Sequence, residues 1–255
     1  MADTDKEGVF KIEAAGTLQR WPEISNLFGR HTRLALSRGT QFEQWELFAF
    51  ACLARSHYAV GSIRLLSGRG PDCAVLARTL YEHVVALAWL LIDPANNYLA
   101  LLKREHDERT KLFNELSKFA PVPTTKDQLD LALLSSGMNP NVKAAPSTYD
   151  LARKADEHWQ AKLPLLPFGF ARAYGGTFRN YSAYAHPSVV GIYPFSTTDG
   201  RPTSESLDSL AIVEMDAHMT FASALFVSTS FLRSMKPEDV LVAYGLTDAE
   251  EHANG

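Results

Sequence analysis

Apolar residues recur at helical spacing along most of the chain. From residue 41 to residue 66 they follow a period of about 3.6 residues, and the segment closes on Ser67, Gly68, Arg69 and Gly70. Residues 73–92 are apolar on most sides, which predicts a helix at the centre of the core. No stretch alternates for long enough to predict a sheet. The sequence therefore predicts an all-α fold, a multi-helix bundle of about six to eight helices.

Proline, glycine and capping residues predict where these helices begin and end. Pro22 fits the first turn of the first helix, the pair Asp93–Pro94 separates two helices, and Thr148 fits an N-cap. The predicted helical segments span residues 21–38, 41–66, 73–92, 95–119, 148–161, 168–186 and 207–235.

One domain over residues 1–255 is the simplest organisation for a chain of this length. Residues 1–15 resemble a flexible, solvated arm. Residues 120–147 are rich in proline and serine and predict an excursion from the core with one short helix, Lys126 to Leu134. Residues 237–255 form the tail, whose first part fits a short docking helix.

Composition narrows the class of protein. The formal net charge of −4 argues against non-specific coating of nucleic acid or of an anionic membrane. The longest apolar run, Val84 to Ile92, has nine residues, whereas about 20 are needed to span a bilayer. Cys52 and Cys73 are far apart and outside any metal-ligand spacing, and residues 1–7 do not resemble a signal peptide. We therefore expect a cytoplasmic protein with reduced thiols.

The polar stretch from Phe178 to Pro187 lies within otherwise apolar sequence and is the main functional lead. On a continuous α-helix Arg179 and His186 would share a face, about 10 Å apart along the axis, with Ser182 between them. Pro187 disfavours the α conformation at His186, which predicts that the imidazole lies in the last helical turn.

Arg179 and Asn180 followed by His186 resemble the signature of the HEPN superfamily, in which an arginine and a polar residue precede a histidine by a short spacer. The resemblance implies a compact helical bundle that cleaves RNA without a metal or other cofactor. It implies Arg179 and His186 as the catalytic pair, a site completed across a homodimer, and a role in toxin–antitoxin or antiphage systems with an antitoxin or defence partner.

A second resemblance concerns residues 71–92 and 168–186. These segments are similar to an uncharacterised bacterial family of all-helical proteins, which carries an arginine and a glutamate one turn apart and a later tyrosine-rich segment ending in histidine. Arg78 and Glu82 match the first feature, and Tyr181, Tyr184 and His186 match the second. This resemblance implies the fold and no activity.

The Arg-to-His spacing occurs three times, so the spacing alone does not select a site. Arg78 to His83 and Arg153 to His158 are five residues apart, and on a continuous helix these side chains diverge by roughly 140°. Only the pair Arg179 and His186, in which Asn180 follows the arginine, lies on one face of such a helix. It also lies in the longest stretch without a carboxylate, residues 158–198, as a phosphate-binding surface would prefer.

An endoribonuclease needs a group that moves a proton at the 2′-hydroxyl or the leaving oxygen, and histidine titrates near neutral pH. His186 would take this role, and Arg179 would stabilise the charge on the phosphorane. Asn180 and Ser182 would orient the ring or a phosphate oxygen, and a buried Glu82, one turn after Arg78, would orient His186. Candidate substrate-binding residues are Arg172, Tyr181 and Tyr184, with ordinary packing as the alternative for the tyrosines.

Two other hypotheses stay open at the level of sequence. In the first the protein is a non-catalytic helical binding or interaction module, Arg179 pairs with a carboxylate such as Glu82, and His186 caps a helix end. In the second a metal binds in the bundle core. Its candidate ligands are Glu82, His186, Asp208, Glu214, Asp216 and His218. The chain lacks phosphate-binding loops, nucleophile elbows and zinc-peptidase motifs.

Overall fold

The computed structural model describes residues 19–37, 41–66, 70–119, 141–163, 169–179, 181–182 and 210–245. Within these ranges the chain forms eight α-helices and one π-helical segment, and it contains no strand. The helices are α1 Trp21–Leu36, α2 Gln44–Leu65, α3 Gly70–Leu90, α4 Pro94–Leu116, α5 Thr148–Lys162, α6 Phe170–Ala173, α7 Leu210–Ser228 and α8 Pro237–Tyr244. The π-helical segment Tyr174–Arg179 follows α6 directly. The predicted all-α bundle is confirmed.

Helix α3 is the centre of the bundle, as its apolar sequence predicts. It packs against α2, α5, α7 and the π-helical segment. From Leu87 to Leu91 every residue is buried. By length and composition Asp72–Leu90 could also cross a membrane, and this is the one such helix among the described residues. Since 61% of its window is buried inside the protein, the core position accounts for its apolar character.

Side-chain donors fasten the outer helices to α3. The Trp159 indole of α5 donates to the carbonyl of Ala88 at 2.7 Å. The Tyr81 hydroxyl donates to the carbonyl of Phe170 at 2.6 Å, and Tyr81 has no exposed surface. Buried polar groups that lack a partner are costly, so these two bonds fix both the position and the rotation of α5 and α6 on α3.

Several predicted boundaries shift by a few residues. The N-cap of α5 is Ser147, not Thr148, because the Ser147 hydroxyl accepts from the Asp150 N–H at 3.2 Å. Helix α7 ends at Ser228, before the predicted end at Met235, and the turns that follow still bury Leu232 and Met235. The predicted start of this helix, at residue 207, lies outside the described residues.

The end of the predicted excursion packs on α4. The Ala145 N–H donates to the Ala100 carbonyl at 2.8 Å, and Arg104 donates to the Pro146 carbonyl at 3.0 Å. Residues 120–140, including the predicted short helix, lie outside the described residues, as do residues 1–18 and 246–255. The short docking helix predicted in the tail is confirmed as α8, which packs on α1 and α7.

Candidate functional site

The π-helical segment carries the first residue of the predicted catalytic pair. It begins at Tyr174, includes Gly175 and Gly176, and ends at Arg179. Glycine restrains the backbone least, which eases the wider turn of a π-helix. Single π turns within α-helices are frequent at functional sites. The predicted eclipsed alignment of Arg179 with His186 assumed an unbroken α-helix, and residues 183–186 lie outside the described part of the chain.

Asp156 of α5 holds the beginning of this region in place. Its carboxylate accepts from the N–H groups of Phe170 at 2.5 Å and of Ala171 at 2.8 Å, so it caps α6. Burial raises the pKa of Asp156, and the two N–H bonds oppose that rise. Gly169 leaves room for this contact, because a Cβ there would lie 3.0 Å from the Gln160 amide nitrogen and 3.2 Å from an Asp156 oxygen.

Arg179 is exposed, and no ion pair within the described residues involves it. The structural alternative paired Arg179 with Glu82, but Glu82 pairs with Arg78 on its own helix at 3.5 Å. Arg179 is therefore a cation that an anion from solution can reach. Arg172, one of the candidate substrate-binding residues, is also exposed.

Phe178 connects the π-helical segment to the Arg78–Glu82 pair. Its ring stacks on Tyr174 at 4.9 Å between centroids, and the Arg78 guanidinium lies 5.0 Å from its centroid. An arginine over an aromatic face is held by the ring quadrupole. The three side chains Arg78, Glu82 and Phe178 thus form one cluster, which we call the α3 cluster, and Phe178 directly precedes Arg179 in the chain.

The surroundings of Tyr181 bear on its predicted role in substrate binding. The ring is 7% exposed, and the hydroxyl donates to Asp216 of α7 at 2.6 Å. Thr177 also reaches Asp216, at 3.4 Å. Burial raises the pKa of Asp216, while the hydrogen bonds from Tyr181 and Thr177 lower it. This arrangement favours the packing alternative over base stacking for Tyr181.

The remaining predicted residues divide into two groups. The Ser182 hydroxyl donates to the Phe178 carbonyl, four residues earlier, at 2.6 Å. Asn180, Tyr184 and His186 lie outside the described residues. For these three the predicted roles stay predictions.

The stretch without carboxylates in sequence is not without them in space. Asp156 caps its beginning, and Asp216 accepts from its tyrosine and threonine hydroxyls. Both carboxylates come from helices that pack against the segment. The segment therefore contacts two carboxylates that its own sequence does not contain, and the predicted phosphate-binding surface stays a prediction.

The described members of the hypothetical metal site do not converge. Glu82 lines a groove with residues of α2 and α4, whereas Glu214 lines a separate cavity with Trp21, His57 and Arg64. Among the described residues no group of three histidine, cysteine or carboxylate side chains is placed to hold a metal ion. His186 and Asp208 lie outside those residues.

Sequence reasoning missed Phe178 and Asp156 as parts of the site. The signal for Phe178 is its position next to Arg179 in a segment rich in aromatics. Asp156 has a weaker signal, a carboxylate six residues before the end of α5 that faces the start of the following helix. Its role depends on the turn between α5 and α6, which periodicity does not predict.

A sequence model of one family matches residues 46–202, more than half of the chain. The chain belongs to DUF5677, a family of unknown function. The DUF5677 match extends from α2 through the π-helical segment and includes Arg78, Glu82, Arg179 and His186. It brings no link to the HEPN superfamily, so that resemblance stays a prediction. No curated protein and no solved structure matched the chain.

Proposed function

We propose that this DUF5677 protein is a metal-independent endoribonuclease of the HEPN type, acting in the cytoplasm as a toxin or antiphage defence component. The observation that carries the proposal is the exposed Arg179, which ends a π-helical turn and has no ion-pair partner among the described residues. An arginine that is already neutralised by a carboxylate would be a poor phosphate ligand. Arg179 is available to bind a phosphate group.

In the proposed reaction Arg179 donates hydrogen bonds to the nonbridging phosphate oxygens as charge develops on the phosphorane. His186 accepts the proton of the 2′-hydroxyl or protonates the leaving 5′-oxygen. The 2′-oxygen forms a bond to phosphorus, the bond to the 5′-oxygen breaks, and the products are a 2′,3′-cyclic phosphate and a 5′-hydroxyl.

The other residues take supporting roles in this proposal. Within the α3 cluster the Arg78 guanidinium packs on the Phe178 ring. This contact restrains the backbone that carries Arg179. Asn180 and Ser182 lie between the pair in sequence, and Arg172, seven residues before Arg179, supplies a second exposed cation. The proposal also includes a homodimer that completes the site, and an antitoxin or defence protein as partner.

The first test is cleavage of a fluorogenic RNA by the purified protein in EDTA. Arg179→Ala and His186→Ala should each lower the rate by at least about 100-fold, the usual size of an acid–base or charge-stabilising contribution. Arg153→Ala is the matched control, because Arg153 is an exposed arginine of α5 with its own Arg-to-His spacing. Cleavage that persists in both site variants would refute the proposal.

A second candidate function is a non-catalytic binding or interaction module, and the bond from Tyr181 to Asp216 favours it. In that account the polar stretch holds α7 against the π-helical segment. His186→Ala would then lower the melting temperature by several degrees, and wild-type protein would leave RNA intact. Tyr181→Phe should cost about 1–3 kcal/mol in either account, since it leaves the half-buried Asp216 with one partner fewer.

A further inference from the structure

A groove of about 610 Å³ lies between α2, α3 and α4, apart from Arg179. This volume falls in the range of about 300–1,000 Å³ that is usual for small-molecule sites. Its apolar surface comes from all three helices. The contributing side chains are Phe48, Ala51, Ala86, Leu101 and Leu102. A flat apolar molecule could lie along this surface.

The groove also carries an aromatic wall. Phe48 and Tyr98 meet edge to face, with 5.9 Å between their ring centroids. The Tyr98 hydroxyl points to Gln44 at 3.4 Å, so the ring, rather than the hydroxyl, faces the neighbouring apolar side chains. Aromatic rings prefer edge-to-face and offset contacts, and this wall offers a further ring such a contact.

Charged residues of both signs line the groove. Arg55, Arg104 and Arg109 line it, together with Glu82, Glu105 and Glu108. Glu105 pairs with Arg109 at 2.7 Å within the groove. Glu82 pairs with Arg78, a residue that does not line the groove. Arg55, Arg104 and Glu108 form no ion pair with any described residue, so two arginines of the groove face one glutamate.

Arg55 is the arginine best placed to take a ligand. It is exposed, and no ion pair within the described residues involves it, whereas Arg104 donates to the Pro146 carbonyl. His83 lies beside it in the same groove. Burial, and then the charge of Arg55, lower the pKa of His83, so at pH 7 the ring beside Arg55 is neutral and Arg55 carries the positive charge there.

Covalent chemistry at the groove is not part of the inference. Cys52 also lines it, but burial raises the pKa of this thiol to about 12, so the reactive thiolate is scarce at neutral pH. The site is a reversible one.

We propose that the groove between α2, α3 and α4 binds a small aromatic acid, with its carboxylate on Arg55 and its ring on the apolar surface next to Phe48 and Tyr98. Guanidinium and carboxylate match in a bidentate geometry, which gives the site its sign preference. Arg55, Phe48 and Tyr98 have no role in the proposed RNA cleavage, and Arg179 does not line the groove, so ligand binding here is independent of that activity.

The test is isothermal titration calorimetry of the full chain with 2-naphthoate, and with uncharged 2-naphthalenemethanol as the matched ligand. Wild type should bind 2-naphthoate at least about tenfold more tightly, as one charge-assisted contact predicts. Arg55→Met should remove that preference and leave the affinity for the alcohol within about twofold. Arg30→Met, an exposed arginine of α1 outside the groove, should bind both ligands as wild type does.

A second variant blocks the groove without disturbing the core. Ala51 is exposed on α2 and lines the groove, so Ala51→Trp should leave the melting temperature unchanged and weaken both ligands by at least about tenfold. The proposal is overturned if wild type binds neither ligand at millimolar concentration, if it binds the alcohol as tightly as the acid, or if Arg55→Met keeps the preference.

Discussion

His218 on α7 has no exposed surface, and within the described residues neither of its ring nitrogens has a hydrogen-bond partner. The ring lies edge-on to Trp21, with 5.6 Å between centroids, and to Tyr244 at 6.4 Å. Burial, and then the charge of Arg64, lower its pKa to about 4. The folded protein therefore keeps this imidazole neutral.

A group with a lowered folded-state pKa makes folding sensitive to acid. The unfolded chain binds a proton at His218 near pH 6.5, whereas the folded chain does so only near pH 4. The free energy of unfolding should fall as the pH drops from about 6.5 to about 4, by on the order of 3 kcal/mol from this residue. His31, His57, His83 and His158 also have lowered pKa values and act in the same direction.

Urea unfolding at pH 7.5 and pH 4.5 measures this loss, and His218→Leu isolates the contribution of His218. The variant removes both unpaired nitrogens and should show a clearly smaller loss between the two pH values than wild type. An equal loss in wild type and variant would show that the ring is not held neutral by burial.

At the scale of single residues, the sequence predicted types of side chain better than their surroundings. Arg179 is exposed, and no carboxylate in the described part of the chain forms an ion pair with it. Tyr181 was a candidate for base stacking, but its hydroxyl bonds to Asp216 across 35 positions of sequence. No local pattern encodes that contact, since it depends on how α7 docks.

The π-helical segment Tyr174–Arg179 sets the direction of Arg179 relative to α6. A π turn holds one residue more than the α turn it replaces, so deletion of one residue should restore α geometry. The deletion would rotate Arg179 by about 100° around the helix axis. Gly175 is the natural choice, since no heavy atom beyond the helix backbone lies within 4 Å of a Cβ built there.

We expect deletion of Gly175 to lower RNA cleavage by at least about tenfold while the protein stays folded. Gly175→Ala is the control, because it keeps the residue count and gains up to about 1 kcal/mol of helix propensity. Rates from the fluorogenic assay, with circular dichroism to check folding, measure both. Cleavage by the deletion variant at the wild-type rate would show that RNA cleavage does not need the π turn.

At the scale of elements, periodicity and breakers located most helices within a few residues, including α1, α2, α4 and α8. The π turn was not predicted, because its wider hydrogen-bond pattern leaves no distinct spacing in so short a segment. The early end of α7 was missed for a different reason. The turns after Ser228 bury Leu232 and Met235, so the apolar pattern continues where the helix does not.

The whole molecule depends on α3, which contacts α2, α5, α7 and the π-helical segment. Leu87 lies fully buried on this helix. Leu87→Ala should lower the free energy of unfolding by about 2–5 kcal/mol, through lost burial and the cavity left behind. Leu112→Ala on α4 is the control, because Leu112 is 58% exposed and its loss should cost no more than about 0.5 kcal/mol.

Urea denaturation measures both leucine variants. Equal stability of Leu87→Ala and Leu112→Ala would contradict the central position of α3. The central position was predictable because residues 73–92 are apolar on most sides. The groove between α2, α3 and α4 was not predictable, since it depends on how α4 packs against the other two helices.

The account of function rests on Arg179 and His186 acting on RNA without a metal. The most direct measurement is incubation of the purified wild-type chain, in EDTA, with an RNA oligonucleotide and with its fully 2′-O-methylated analogue. The account predicts that only the unmodified RNA is cleaved, and that the new ends are 2′,3′-cyclic phosphates detectable by mass spectrometry. Intact RNA in EDTA, or equal cleavage of the methylated analogue, would contradict it.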